Sequence, residues 1–209
     1  MDVQFEPQPK IRDWEDKRGV VAWEMPSSWH MEALKAQAVI ARTYGLVSRK
    51  PSGWFDLYAD TRSQVYEGLE SEYARTNQAV AATRGQVVTY KGEVAQTFYS
   101  ACSGGHTESV ENVFGTAIPY LVGVPDPYDY YCPLHKWTLR FSGPEISAKL
   151  GAYLKGRLRK VVITKTGASP RIIEAKLVGT GGTTTVSGSE LAGALGGHDT
   201  WMKFQKVVR

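Results

Sequence analysis

Hydrophobic positions along the chain follow a helical period in some segments and a strand-like alternation in others. The clearest helical signal is HMEALKAQAVIARTYG at residues 30–45, which is dense in helix formers. It predicts a helix from about residue 29 to 47, behind a Pro turn and a Ser cap. Residues 72 to about 84 predict a second helix that ends at Gly85. The short apolar run RGVVAWE at residues 18–24 predicts a strand ahead of both helices.

The middle of the chain predicts a β-hairpin followed by a long loop. Two strand signals, QVVTY and EVAQTFYS, flank the two-residue turn KG within residues 86–100. Residues 100–135 are dense in Gly, Pro and Tyr and predict a long irregular segment. Loops of that length inside a compact domain are usually functional or held by an added constraint.

The last third of the chain mixes strand and helix signals without regular βαβ alternation. Strands are predicted over residues 136–142, 158–165, 171–178, 183–187 and 200–208, and helices over 144–154 and 188–197. No repeat or Pro/Gly/Ser-rich linker divides the sequence. We therefore predict an α+β fold with a mainly antiparallel sheet and a few packed helices. The prediction is one domain over residues 18–209, preceded by an extension at residues 1–17.

The predicted helix over residues 29–47 has two different faces when each residue is turned through about 100°. The more polar face carries Glu32, Lys35, Val39 and Arg42, and the apolar face carries Ala33, Ile40, Ala41 and Tyr44. Gln37 points into the apolar side. We expect its amide to be buried and to hydrogen-bond a loop backbone near a cleft.

Composition and charge narrow the function classes. The 209 residues are 42% hydrophobic and 22% charged, as in ordinary globular proteins, and the formal charge is +4. The only basic cluster, KGRLRK at residues 155–160, has no interleaved aromatic residues that could stack bases. Nucleic acid is therefore not an expected partner, whereas an anionic cell-wall glycan is compatible with this charge.

We expect no membrane segment, because no apolar run of the sequence is long enough to span a bilayer. Residues 1–10 lack the basic and apolar regions of a signal peptide. The expectation is a soluble chain, which could also be a domain cut from a secreted or anchored precursor.

Both cysteines of the chain are close in sequence to a histidine. Cys102 precedes His106 in CSGGHT, and Cys132 precedes His135 in CPLH. Thiolate and imidazole are the ligands that structural Zn²⁺ prefers, so the four residues form a candidate Cys₂His₂ site. A disulfide between the cysteines, a catalytic cysteine with a histidine, or two free thiols fit the same residues. The spacings also differ from standard zinc-finger patterns.

Glu32 is the candidate catalytic acid, although a structural role is also natural for it. The helix dipole favours a glutamate in the first turn, and Lys35 can pair with it. Both effects would lower the pKa of Glu32, whereas a general acid needs a raised pKa, so burial against Trp29 or tyrosines would have to outweigh them. Lesser acidic candidates are Glu24, Asp60 and Glu67.

An ordered series of motifs closely resembles the stage II sporulation protein D family, which includes the amidase enhancers. The motifs are EMPSSWHMEALKAQAVIARTYG, QVYEG, AVAATRGQVVTYKGEVAQTFYSACSGGHTE and IPYLVGVPDPYD. Weaker similarity continues through ASPRI, VSGSELAGALG and TWMKF. The resemblance therefore extends over nearly the whole chain.

The resemblance implies an activity on peptidoglycan. Family members are lytic transglycosylases that cut glycan strands stripped of stem peptides, and the catalytic glutamate of their EALKAQA motif corresponds to Glu32. The enhancer branch assists a wall amidase, so a non-catalytic glycan-binding module is the alternative. A third reading, an ordinary muramidase, would need a second carboxylate to activate water.

The resemblance further implies an extracytoplasmic or cell-wall location, with glycan strands and a cell-wall amidase as partners. It also supports a structural zinc ion, which has been associated with some family members. The SGG sequence at residues 103–105 would let the backbone approach a sugar closely, with N–H groups free to bind it. The expected glycan contacts are Lys35, Gln37, Arg42, Gln64, Tyr66, Tyr99, Ser103, Gly104 and Gly105. The expected zinc ligands are Cys102, His106, Cys132 and His135.

Overall fold

The computed structural model of the chain describes residues 3–7, 18–49 and 72–206. Helices and antiparallel sheets occur together in it, which confirms the predicted α+β fold. The chain divides into two compact units, Met1–Tyr99 and Ser100–Arg209. The prediction of one domain over residues 18–209 stays a prediction. Of the described helices, none combines the length and the apolar character needed to cross a membrane.

The described part of the first unit combines three helices with a three-stranded antiparallel sheet. The helices are α1 (Arg18–Glu24), α2 (Met31–Ser48) and α3 (Ala74–Ala82), and the strands are β1 (Val3–Pro7), β2 (Gln86–Tyr90) and β3 (Glu93–Val94). The sheet order is β1-β2-β3. Strand β1 lies within the segment predicted as an extension, and it pairs along its whole length with β2.

The segment Arg18–Glu24 was predicted as a strand, and this prediction is wrong because the segment forms helix α1. Its consecutive residues Gly19, Val20 and Val21 are all buried, which an alternating strand with one exposed face would not give. Val21 packs in a small core with residues of α2 and α3. Packing against two helices thus overrides the strand preference of a short valine-rich run.

Helix α2 confirms the predicted helix but not its predicted orientation. Val39 and Arg42, which were predicted on the more polar face, are both buried. The helix has neighbours on more than one side, because it contacts both α3 and strand β2. The Thr43 hydroxyl donates to the Val39 carbonyl at 2.7 Å and accepts from the Val88 amide at 2.9 Å, which ties the helix to the sheet.

The second unit contains another antiparallel sheet and three short helices. Its strands are β4 (Leu158–Thr166), β5 (Ile172–Gly179) and β6 (Gly182–Ser187), in the order β4-β5-β6. Its helices are α4 (Val110–Phe114), α5 (Gly143–Lys149) and α6 (Gly188–Leu195), with a 3₁₀ helix at Asp129–Tyr131. The core lies between β5, β6 and the helices α5 and α6, and includes Leu150, Ile172, Leu177 and Leu191.

Two strand predictions in this unit are wrong within the described residues. Residues 136–142 and 201–206 form no regular strand. Apolar side chains of both segments nevertheless contribute to the core, since Met202 is buried in it and Trp137 packs against it. Alternating apolar residues can therefore reflect side chains that anchor irregular backbone to a core.

Candidate functional site

The candidate acid Glu32 lies in the first turn of α2, as predicted. Its side chain is 68% exposed, and the Lys35 ammonium donates to its carboxylate at 2.7 Å. The backbone N–H of Glu32 donates to Nδ1 of His30, which caps the helix, at 3.3 Å. The hydrogen bond and the charge of Lys35 hold the pKa of Glu32 below its usual value. Burial does not outweigh the lysine, so the carboxylate is ionised at neutral pH.

Exposed aromatic side chains lie at the same end of the helices of this unit. Trp29 precedes α2 and Tyr73 precedes α3, and both are exposed. The Arg75 guanidinium, at the start of α3, donates to the backbone carbonyls of Ser27 and Trp29, each at 2.8 Å. This pair of hydrogen bonds joins the N-terminus of α3 to the turn before Glu32.

Gln37 is buried, with 5% of its surface exposed, as predicted. Within the described residues its amide nitrogen Nε2 has no hydrogen-bond partner, so the predicted bond to a loop backbone is not present. A buried amide donor without a partner is energetically costly.

Arg42 was predicted to be exposed, and this part of the prediction is wrong, whereas its contact with a glycan stays a prediction. The residue is 1% exposed. Its guanidinium donates to the carbonyls of Thr83 at 2.9 Å and Gln86 at 2.8 Å, at the turn that joins α3 to β2. Arg42 therefore satisfies carbonyls at the end of α3 that would otherwise be buried without a donor.

The remaining predicted contacts of the first unit have separate outcomes. The Tyr99 hydroxyl donates to the Glu24 carboxylate at 3.1 Å, and its ring packs edge-on against Tyr44. Half-buried and already paired, Tyr99 connects the end of the hairpin segment to α1. Gln64 and Tyr66 lie outside the described residues.

The SGG turn of the second unit has most of its amides occupied. The Ser103 N–H donates to the Asp129 carboxylate at 2.5 Å, and the Gly105 N–H donates to the Ser103 hydroxyl at 3.1 Å. Only the Gly104 N–H lacks a partner within the described part of the chain. Gly104 has φ +70°, and a Cβ there would lie 3.1 Å from the Trp201 ring, so the turn requires glycine for both reasons.

The Arg171 side chain binds the backbone of this turn, and the sequence analysis did not identify it. Its guanidinium donates to the carbonyls of Ser103 and His106, each at 2.7 Å. Asp199 accepts from the same guanidinium through both oxygens, and the Trp201 ring lies 5.7 Å away. The only local sign was the ASPRI motif, in which an arginine follows a turn.

The two cysteines form a disulfide, with their Cα atoms 5.8 Å apart. The disulfide is one of the alternatives that the sequence left open, and its sulfurs are not the thiolates that zinc requires. Asp129 is the third potential ligand within 4.8 Å of the sulfurs in the described structure. The residues in this form do not fit a Cys₂His₂ zinc site.

The two histidines predicted as ligands make other contacts. Nδ1 of His106 lies 2.6 Å from the Thr107 carbonyl, and Nδ1 of His135 lies 2.6 Å from the Asp129 carboxylate. Burial raises the pKa of Asp129, but hydrogen bonds from His135 and Ser103 outweigh it and leave the pKa below its usual value. Zinc binding by a reduced chain stays a prediction.

Glu108 fastens the long loop to the turn between β4 and β5. Its carboxylate accepts from the Ala168 amide at 2.9 Å, the Ser169 hydroxyl at 2.5 Å and the Asn112 amide at 2.8 Å. Burial raises the pKa of Glu108, but these bonds and one from the Ser109 amide outweigh it and lower the pKa to about 2. The sequence analysis missed this residue, because its partners Ala168 and Ser169 are about 60 residues away along the chain.

Comparison with protein families gives a match in the first half of the chain. The model of a family described as Stage II sporulation protein matches residues 17–90. This range contains Glu32 and the whole of helices α1, α2 and α3.

Three curated relatives show the extent of the similarity. An uncharacterized protein of Brachyspira hyodysenteriae is 44% identical over 142 residues, which are 65% of this chain and 38% of the relative. The Amidase enhancer of Bacillus subtilis is 39% identical over 132 residues, 63% of this chain and 18% of the relative. Stage II sporulation protein D of Bacillus subtilis is 36% identical over 155 residues, 66% of this chain and 45% of the relative. The aligned part thus spans less than half the length of each of these relatives.

Proposed function

We propose that this chain, which is similar to members of the stage II sporulation protein D family, acts in the cell wall as a lytic transglycosylase on peptidoglycan glycan strands. Glu32 is the proposed general acid and base. The observation that carries the proposal is the exposed Glu32 carboxylate at a helix end that also presents the exposed rings of Trp29 and Tyr73. A carboxylate beside exposed aromatic rings suits a sugar polymer, because rings stack on pyranose faces while the acid reaches the glycosidic oxygen.

One carboxyl group is sufficient for the proposed reaction. Protonated Glu32 gives its proton to the glycosidic oxygen between N-acetylmuramic acid and N-acetylglucosamine, and the C–O bond breaks. The 6-hydroxyl of the same muramyl residue then bonds to the anomeric carbon and returns a proton to Glu32. The products are a 1,6-anhydromuramyl end and a free N-acetylglucosamine end, and no water is consumed.

Lys35 has to leave Glu32 for this chemistry. In the free chain the lysine holds the carboxylate in its ionised form, which cannot donate a proton. A muramyl residue stripped of its stem peptide carries a free carboxylate of its own. We infer that this carboxylate draws Lys35 away while the sugar rings shield Glu32 from water, and both changes raise the pKa of Glu32.

A second candidate function is activation of a cell-wall amidase without glycan cleavage. The observation that favours it is the ion pair between Glu32 and Lys35. Such a pair is the ordinary structural role of a glutamate in the first turn of a helix. One relative is named an amidase enhancer, and its name describes that protein alone. In this case Glu32 would contribute to a glycan-binding surface and would not transfer a proton.

The cell-wall role also includes a proposed location outside the cytoplasm. The Cys102–Cys132 disulfide supports this location, since such bonds persist in oxidising compartments.

Mass spectrometry of the products from glycan strands without stem peptides separates these functions. Anhydromuramyl ends are expected if the chain is a lytic transglycosylase. Reducing muramyl ends would indicate a muramidase. Intact strands, together with a faster amidase reaction when the chain is added, would support the enhancer and contradict the transglycosylase.

A further inference from the structure

Three exposed tyrosines stand together on the 3₁₀ helix and the residue before it. Tyr128 and Tyr131 are each 76% exposed, and Tyr130 is 57% exposed. Side chains three residues apart eclipse each other on a 3₁₀ helix, so Tyr128 and Tyr131 lie on the same side. The rings of Tyr130 and Tyr131 lie 3.9 Å apart between centroids, and a hydrogen bond between their side chains raises the pKa of Tyr130.

The backbone beneath these rings is fixed from both sides. The buried Asp129 carboxylate binds the Ser103 amide and the His135 ring. Cys132, at the end of the 3₁₀ helix, donates its N–H to the Asp129 carbonyl at 2.8 Å and forms the disulfide to Cys102. Exposed aromatic rings on an ordered backbone lose little conformational freedom when a ligand binds, which makes them suitable as a binding surface.

A polar group that could contribute to the same surface is close by. The Asp129–Ser103 hydrogen bond and the disulfide join the 3₁₀ helix to the SGG turn. In that turn the Gly104 N–H is the amide without a partner in the described structure. An unpaired backbone donor in a segment that is joined to the one carrying the aromatic rings suits a ligand with both apolar faces and hydrogen-bond acceptors.

We propose that Tyr128, Tyr130 and Tyr131 form a stacking platform for the pyranose rings of a glycan strand. The proposal rests on the proposed function, which names the ligand as peptidoglycan glycan. A pyranose ring has an apolar C–H face and a rim of hydroxyl and acetamido groups. Tyrosine matches it with an apolar ring face and a hydroxyl, and the Gly104 N–H can donate to an acetamido or hydroxyl oxygen.

The test measures binding of soluble glycan strands without stem peptides to the full chain carrying Glu32→Gln, which prevents cleavage during the measurement. Tyr131→Ala in this background is expected to weaken binding about tenfold, whereas Tyr131→Trp keeps the stacking and the affinity. The matched control is Phe114→Ala, which removes another exposed aromatic ring, 62% exposed, from α4 of the same unit. The control is expected to change affinity by less than about twofold, because surface substitutions away from a binding site have little effect.

Each outcome decides the proposal. Unchanged glycan affinity of Tyr131→Ala overturns the platform, and so does an equal loss in Phe114→Ala, which would indicate nonspecific apolar contact. Unchanged glycan affinity together with lost binding of a cell-wall amidase also overturns it and makes the surface a protein interface. Platform-dependent binding with no cleavage by the wild-type chain supports the platform and contradicts the transglycosylase. A parent chain that binds no glycan overturns both.

Discussion

Glu32 and Glu108 both have a lowered pKa, yet they belong to regions of opposite character. Glu32 is exposed and held by one lysine, whereas Glu108 is half-buried and accepts hydrogen bonds from several backbone and side-chain groups. A carboxylate with one mobile partner can change its protonation when a ligand arrives. A carboxylate bound by many fixed donors cannot, so it stabilises the fold instead.

The long loop near Glu108 and the helix ends near Glu32 differ in the same way in their other side chains. Around the long loop, Arg171, Asp129 and the disulfide each use their bonding capacity within the protein. At the N-terminal ends of α2 and α3, Trp29 and Tyr73 are exposed. A lowered pKa alone therefore does not identify a functional carboxylate. It also matters whether a ligand can replace the hydrogen-bond partners of that carboxylate.

The largest expected effect is that of Glu32→Gln on glycan cleavage. The change keeps the shape of the side chain but removes the transferable proton, so the rate should fall at least about 100-fold. Thermal unfolding should be unchanged, because the residue is exposed. The measurement is the rate of anhydromuramyl product formation.

Glu111→Gln is the matched control for this variant, since Glu111 is also an exposed glutamate in the first turn of a helix. It should leave the rate unchanged. Retention of more than about 10% of wild-type turnover by Glu32→Gln would remove Glu32 from the proposed mechanism.

The next largest effect is expected from loss of the disulfide within the long loop. The disulfide joins residues 30 positions apart, and its loss through Cys102→Ser with Cys132→Ser should lower the free energy of unfolding by about 3.5 kcal/mol. Urea unfolding with and without reductant measures this difference, and reductant should not affect the double-serine variant. A thiol count in denaturant should find no free thiol. Two titratable thiols with about one Zn²⁺ per chain would instead support the four-ligand site.

Glu108 should make stability depend on pH in the acidic range. Its folded pKa of about 2 lies below the ordinary 4.5, so its contribution is fully present above about pH 4.5 and is lost as pH falls towards 2. With solvent screening taken into account, Glu108→Gln should lower the free energy of unfolding at pH 7 by about 1 to 2 kcal/mol. The difference from wild type should vanish near pH 2.

Urea unfolding at a series of pH values measures the Glu108 contribution. Glu93→Gln, at an exposed glutamate of β3, serves as the control that should leave the pH dependence unchanged. A constant difference between Glu108→Gln and wild type from pH 7 to pH 2 would show that the carboxylate charge is not responsible.

The smallest change is expected from Lys35→Met, which should raise the pKa of Glu32 in the free chain. The variant removes the hydrogen bond and the charge that favour the ionised carboxylate. NMR titration of the Glu32 side-chain carboxyl measures the effect without dependence on activity. Lys203→Met, at an exposed lysine in the second unit, should leave the titration unchanged. An unchanged pKa in Lys35→Met would show that the ion pair does not control Glu32.

Most elements with a strong local pattern could be predicted from the sequence. The helix α2, the hairpin turn after β2 and the strands β4 to β6 follow from periodicity and turn residues that lie close together along the chain. The second strand of the hairpin was predicted to residue 100, but β3 ends at Val94. Helix α1 could not be predicted, because seven residues with a valine pair are compatible with either structure. Its contacts with α2 and α3 decided the outcome.

The candidate site divides in the same way. Glu32 could be predicted as a first-turn residue, because its motif and helix signal are local. The role of Arg42 could not, since the carbonyls that it binds are more than 40 residues away in sequence. The choice between zinc and a disulfide was also open. Two cysteines and two histidines suit a zinc site, the cysteines also suit a disulfide, and the sequence does not show whether the two sulfur atoms are in contact.

By itself the sequence determined the similarity to stage II sporulation proteins, the α+β class and the position of Glu32 at the start of a long helix. These properties depend on residue order and on interactions within a few turns of the chain. Only the tertiary structure decided that Arg42 is buried, that Cys102 meets Cys132 and that Arg171 and Glu108 hold the long loop. Each of these depends on contacts between segments 30 or more residues apart, and such contacts are set by the packing of the whole unit and leave no local pattern.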